Sequence, residues 1–260
     1  MDLGLNGKRA IVTGGRRGIG RAIAAAFAAE GAEVIIASRE AEALEKAAAE
    51  LRASGGAVQA RTVDTSSTES VAALVDWAVA TLGGVDILVN NATTVISGPS
   101  STLDSTPEAV AAGFDDKVLG YLRCARAVLP HMVEQRWGRV INVGGQSALY
   151  VGSLASTIRN SAVRTLSKNI ADEHGAAGVT ANTVQPGPTE TERLRRTFEE
   201  QGEDERAASV ARMAERVSLR RLVTAEEVAD VVAFLASPRS VAINGSTVDV
   251  GGGTLGTIFP

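Results

Sequence analysis

Short, mostly apolar runs alternate along the chain with longer stretches in which apolar residues recur every three or four positions. The runs at 10–12, 33–38, 57–63, 86–90, 139–143, 179–184 and 246–250 read as strands buried on both faces. The stretches between them read as helices. They begin just after the first run, through 21–27, and continue at 41–52, 68–82, about 108–135, about 153–174 and 224–236. Leu44, Ala48 and Leu51 share one helical stripe, and Gly55-Gly56 and Gly83-Gly84 end two of the helices. Thr224 with Glu227 has the spacing of a capping box. Segments 97–107 and 144–152 are loops by composition, and Gln185-Pro186-Gly187-Pro188 breaks the chain sharply. The charged, helix-periodic segment 189–216 reads as a mobile lid. This βαβ order predicts an α/β fold: a single Rossmann-type domain over 1–260, doubly wound, with a mainly parallel sheet and helices on both faces. Such sheets bind ligands at the carboxyl ends of their strands, where the strand order reverses.

The most informative stretch is Thr13-Gly14-Gly15-Arg16-Arg17-Gly18-Ile19-Gly20, set between the first strand and the first helix. Glycines let a backbone turn tightly and approach a ligand, and the helix N-terminus offers free N–H groups to a pyrophosphate. Strand before and helix after is the context that a dinucleotide loop requires. An acidic residue ending the second strand would favour NAD by bonding the ribose 2′-OH, and none stands there. Ser38 and Arg39, with Arg16 or Arg17, instead suit the 2′-phosphate of NADP, because guanidinium bonds phosphate bidentately. Asp64, with Thr65 beside it, follows the third strand and suits either the adenine amino group or a turn.

Composition narrows the rest. Of 260 residues 45% are hydrophobic and only 3% aromatic, so the core is built from small aliphatics. A net charge of −4 gives no basic footprint for nucleic acid. Arg195/Arg196 and Arg220/Arg221 read as solvated faces. The lone Cys124 forms no internal disulfide, reads as a buried thiol and fits a reducing, cytoplasmic location. No signal peptide or membrane-spanning run is evident, and the isolated His131 and His174 give no metal site.

Taken together, the motifs resemble the short-chain dehydrogenase/reductase family over nearly the whole chain. Thr13-Gly14…Gly18-Ile19-Gly20 looks like its nucleotide loop, Asp64 like its adenine-contacting acid, and Asn90-Asn91-Ala92 like its Asn-Asn-Ala-Gly motif with Thr93 for the glycine. Asn182 with Pro186-Gly187 and Thr191 resembles the segment that caps the nicotinamide, Thr189 lying within it. Arg221-Leu222 through Ser237, then Val248-Asp249-Val250-Gly251-Gly252, resemble the last helix and strand. The resemblance implies a homodimer or homotetramer and a small-molecule substrate.

It also implies a catalytic Asn, Ser, Tyr and Lys, and here the chain departs. Aligned on Ser161-Ala162-Val163, the site helix has Ser156 at the tyrosine position and Asn160 at the lysine position. Gly145 stands for the serine and Lys117 for the asparagine. Set against the family pattern, lysine and asparagine stand on exchanged helices, which reads either as a swap that would keep one ammonium near the same spot or as coincidence between two drifting positions. Tyr150, in the loop over the site, is the candidate proton donor, since a nearby ammonium lowers a phenol's pKa. Tyr121 follows Lys117 by four residues but fits the core, and Ser147, Ser153 and Ser156 are candidate ligands for a substrate oxygen. The expected activity is hydride transfer between NADP(H) and a small carbonyl or alcohol. A non-redox enzyme (lyase, isomerase or cyclase) and a catalytically silent NADP-binding protein are the competing readings.

Overall fold

A computed structural model of the protein describes residues 1–94, 99–149, 151–197 and 202–255. The first half runs β1 (Arg9–Thr13), α1 (Gly18–Ala29), β2 (Glu33–Ser38), α2 (Ala41–Ala53), β3 (Ala57–Thr62), α3 (Thr68–Leu82) and β4 (Ile87–Asn90). It continues through α4 (Pro107–Phe114), a π-helical turn (Asp115–Leu119), α5 (Gly120–Glu134), β5 (Gly138–Val143), α6 (Leu154–His174) and β6 (Val179–Pro186). The remainder is β7 (Thr189–Glu190), α7 (Glu192–Thr197), α8 (Glu203–Glu215), β8 (Val223–Thr224), α9 (Ala225–Ala236) and β9 (Thr247–Val250).

Seven strands form one parallel sheet in the order β3-β2-β1-β4-β5-β6-β9. The chain steps outward from β1 to β3, then returns to lay β4 against the other side of β1. The loops leaving β1 and β4 therefore part company, and a crevice opens between them. Alternation with a period of two explains the burial on both faces. Ala10, Val12, Val34, Ile36, Ile87 and Val89 pack under Ile23 and Phe27 of α1 and Val228 and Val232 of α9. Ile11, Ile35 and Leu88 point the other way, onto Leu74 of α3, Val128 and Met132 of α5 and Ile170 of α6. Small aliphatics dominate, and Tyr121 and Phe27 are the aromatic side chains among the largest that are fully buried. No described helix is long and apolar enough to cross a membrane.

Three elements differ from the sequence pattern. Helix α1 begins at Gly18, inside the glycine loop, because those glycines already turn the backbone into the helix. The expected helix over 108–135 is divided by the π-helical turn at Asp115–Leu119. Side chains tether that turn: Asp116 accepts from Thr93 Oγ1 and Thr94 N, and Lys117 donates to the carbonyl of Gly144. The segment 189–216 is not helical throughout. It opens with the two-residue strand β7, paired parallel with β8, before α7 and α8, and residues 198–201 lie outside the described residues. The capping box at Thr224 and Glu227 is present at the start of α9.

Candidate functional site

The crevice at the switch point is a cleft of about 700 Å³. Its floor is the glycine loop. Gly14 has φ +67°, a conformation that side-chain-bearing residues rarely adopt. At Gly20, on the first turn of α1, a Cβ would lie 2.4 Å from the Gly14 carbonyl oxygen and 2.5 Å from Asn91 Nδ2. The loop is locked from β4. Thr13 Oγ1 accepts from the N–H groups of Asn91 and Ala92 at 3.0 and 3.1 Å, and the Asn91 amide donates to the carbonyls of Thr13 and Gly14. Arg17 precedes α1 without a side-chain cap, so the first N–H groups of the helix are left for other partners. One of them is engaged: Gly18 N donates to Glu192 Oε2 at 3.1 Å.

Beyond the loop, the end of β2 carries positive charge. Ser38 Oγ is buried with no hydrogen-bond partner among the described residues. Around it, Arg39 makes one long contact to Thr94 Oγ1 (3.4 Å), Arg16 pairs with Glu40 at 2.6 Å, and Arg17 is exposed. All four line the cleft, as do Gly14, Gly18, Ile19, Asp64, Thr65, Asn91, Ala92, Pro186, Gly187, Thr189 and Thr191. Gly20 lies beneath it, as a packing residue. Asp64 Oδ1 accepts from both the hydroxyl and the N–H of Ser66, and these bonds hold its carboxyl below the usual carboxylate range. Thr191 Oγ1 accepts from Leu194 N, and Thr189 Oγ1 donates to Gly187 O.

The far wall brings Lys117 and Asn160 together. Lys117 Nζ donates to Asn160 Oδ1 at 2.8 Å and to Gly144 O at 2.9 Å, and both residues are buried. Asn160 Nδ2 in turn donates to Ser147 Oγ at 2.7 Å, and Ser147 Oγ makes a 3.4 Å contact to the carbonyl of Ser156. A Cβ on Gly145 would lie 3.1 Å from Asn160 Nδ2, so the position that lacks a serine hydroxyl borders this chain of bonds. Ser156 does not line the cleft. Ser153 Oγ is buried without a partner among the described residues. Tyr150 lies outside the described residues. Tyr121 is core: its hydroxyl donates to Val143 O at 3.0 Å, and burial raises its pKa well above the usual phenol value. Burial likewise pushes the Cys124 thiol up to about 12.

The sequence pattern missed two residues on that wall. Asp116 is adjacent to Lys117 on the π-helical turn, and Arg159 is adjacent to Asn160 on α6; both line the cleft. Their adjacency to candidate residues was the available signal, but neighbours on a helix point in different directions. Among the described residues no cluster of three or more His, Cys, Asp or Glu is placed to hold a metal ion.

A family model described as enoyl-(acyl carrier protein) reductase matches residues 14–254. Oxidoreductase UcpA of Salmonella typhimurium is 33% identical over 253 residues, covering 96% of this chain and 95% of the relative. The 3-oxoacyl-(acyl-carrier-protein) reductase FabG of Escherichia coli strain K12 is 34% identical over 259 residues, covering 96% and 98%. Among solved structures, L-sorbose reductase from Gluconobacter frateurii, complexed with NADPH and L-sorbose, superimposes with a TM-score of 0.92 at 30% identity, covering 99% of this chain and 100% of that one.

Proposed function

The chain belongs to the short-chain dehydrogenase/reductase family, and on that premise we propose that it is an NADP(H)-dependent oxidoreductase of a small carbonyl or alcohol with a non-standard active site. The cofactor supplies or removes the hydride. Gly14, Gly18, Ile19 and the start of α1 hold its pyrophosphate, with Gly20 keeping the helix close to the loop. Arg16, Arg17, Ser38 and Arg39 take the 2′-phosphate, a role supported by the unpartnered Ser38 hydroxyl among guanidinium groups and by the NADPH in the similar sorbose reductase. Asp64 and Thr65 border the adenine. Asn91, Ala92, Pro186, Gly187, Thr189 and Thr191 enclose the nicotinamide end.

During reduction, negative charge grows on the substrate oxygen. Lys117 Nζ, held by Gly144 O and Asn160 Oδ1, offers compensating charge and an N–H donor at the wall. Asn160 orients the ammonium from α6 and is itself fixed by Ser147. Tyr150 gives the proton to the oxygen, and Ser156 supports Ser147 through its carbonyl. The Lys117–Asn160 hydrogen bond supports this reading: it sets Lys117 Nζ against Asn160, the position at which the family resemblance expects a lysine. A second reading, a non-redox enzyme or a silent NADP-binding protein, is favoured by Gly145, which carries no hydroxyl beside Asn160. We read 1–260 as one domain, with 189–216 closing over substrate, that assembles as a homodimer or homotetramer.

The test is NADPH fluorescence titration together with NADPH oxidation against a carbonyl panel, for the wild type and Lys117→Met. The variant is expected to lose turnover by about 100-fold or more while binding NADPH within about threefold of wild type. Turnover untouched in Lys117→Met removes the swapped lysine from the mechanism. NADPH binding without turnover of any carbonyl moves the assignment to the second reading, and absence of NADPH binding leaves only a non-redox enzyme without cofactor.

A further inference from the structure

Arg159 is a charged side chain without an internal explanation. It is 7% exposed, and its Nε and Nη1 are buried with no hydrogen-bond partner among the described residues. It lines the same cleft as Lys117 and Asn160. The fold treats its other well-anchored arginines differently. Arg139, 3% exposed, donates to the carbonyls of Ser237, Gly138 and Gly178. Arg9 is bonded to Asp86, Gly83 and Gln135. A guanidinium carries five donors in a rigid fork, and leaving those on Nε and Nη1 desolvated and empty is unfavourable. Among the described residues the carboxylate whose charge acts on Arg159 is that of Asp116, which accepts from Thr93 Oγ1 and Thr94 N and makes no hydrogen bond to it.

We propose that Arg159 recognises a carboxylate on the substrate, so that the substrate class is the oxo acids, 2-oxo or 3-oxo, with the matching hydroxy acids as their reduced forms. The carboxylate meets the open guanidinium fork while the carbonyl oxygen meets Lys117 on the adjoining wall. On reduction the carbonyl carbon gains the hydride and the oxygen a proton, and the carboxylate passes through unchanged. The identity of the reaction rests on the oxidoreductase reading above; the anion site rests on Arg159 alone.

Two measurements separate those supports. The first compares kcat/KM for NADPH oxidation with pyruvate and acetoacetate against their methyl esters. The wild type is expected to favour each acid over its ester by about 30-fold or more, and Arg159→Met is expected to bring that ratio to within about threefold of one, chiefly through KM. Arg159→Lys, which keeps charge but not the fork, is expected to fall between them. Equal use of acid and ester by the wild type, or a preference that survives in Arg159→Met, overturns the proposal. The second reads binding without turnover, as the thermal shift given by sodium pyruvate and sodium acetoacetate over equal sodium chloride. If no carbonyl is reduced, the oxidoreductase reading fails and this measurement decides the anion site. A carboxylate-specific rise in Tm that Arg159→Met abolishes supports it, and no such rise in the wild type overturns it. Because Arg159 Nε and Nη1 have no hydrogen-bond partner among the described residues, ligand-free Arg159→Met is expected to melt at or above the wild-type temperature. A lower Tm with the acid preference intact assigns Arg159 to structure alone and overturns the proposal.

Discussion

Gly20 shows how a single residue controls the cofactor floor. Its Cα sits so close to the preceding turn that an added Cβ would meet the Gly14 carbonyl oxygen at 2.4 Å, and that oxygen is backbone, already bonded by Asn91. Neither partner can retreat without opening the loop. Gly20→Ala is therefore expected to cost about 2–3 kcal/mol of stability by denaturant titration, and to weaken NADPH binding by at least about tenfold in fluorescence titration. A variant that folds and binds as wild type would show that α1 can shift where the packing says it cannot. This residue was legible in the sequence because its chemistry is local: strand, glycines and helix follow one another within a few positions. Lys117 and Asn160 were legible only as an exchange between two distant helices, and their 2.8 Å bond is a tertiary fact. Arg159 was not legible, since nothing in a sequence distinguishes an arginine that finds carbonyls, as Arg139 does, from one left with an empty fork.

Among the elements, the strands and their order were the most legible part. An unbroken apolar run has only one stable home in an α/β protein, between two layers of helices. The π-helical turn at Asp115–Leu119 was hidden because one extra residue in a turn barely changes a 3.6-residue period, while it redirects Lys117. The contact between elements with the clearest energetic signature is the clamp where β1 and β4 begin. Arg9 Nε and Nη2 each lie 2.7 Å from an Asp86 carboxylate oxygen, Arg9 N donates to the same group, and Gln135 at the end of α5 completes it. Burial alone would raise the Asp86 carboxyl, but the Arg9 hydrogen bonds and charge outweigh it and hold the group below its ordinary value. A carboxyl whose folded pKa is depressed stabilises the fold above its unfolded pKa and loses that contribution as the pH falls through the folded value. Asp86→Asn is expected to cost about 2 kcal/mol at pH 7. As the pH falls below the ordinary carboxylate value of about 4 the gap to wild type should narrow, because the unfolded wild-type chain then takes up a proton that the folded carboxyl, held low by Arg9, still resists. Tm measured from pH 7 to pH 3 for both proteins checks this, and parallel curves would remove the clamp from the acid response.

At the scale of the whole molecule, the cleft exists because the strand order turns back at β1, and the segment after β6 supplies part of its lining through Gly187, Thr189, Thr191 and Glu192. That segment is anchored at its start by β7 on β8, and β8 leads directly into α9, which packs beside α1 on one face of the sheet. Glu192, on the first turn of α7, reaches from there to the N-terminus of α1 and accepts from Gly18 N at 3.1 Å. A helix N-terminus carries partial positive charge and attracts whichever anion arrives, so the Glu192 carboxylate holds a donor that a pyrophosphate also needs. With the pyrophosphate placed as proposed, nucleotide binding displaces it, and the displacement costs part of the binding free energy. Glu192→Gln replaces the anion with a neutral amide of the same shape, and is expected to tighten NADPH binding by about three- to fivefold at low salt. Screening weakens the carboxylate's hold, so the gain should shrink as potassium chloride rises toward 0.5 M. Fluorescence titration of both proteins across that salt range is the check. Binding that is unchanged or weaker in Glu192→Gln at low salt would mean that the carboxylate either leaves the loop freely or itself helps to seat the cofactor, and the idea of a competing internal anion would then be wrong.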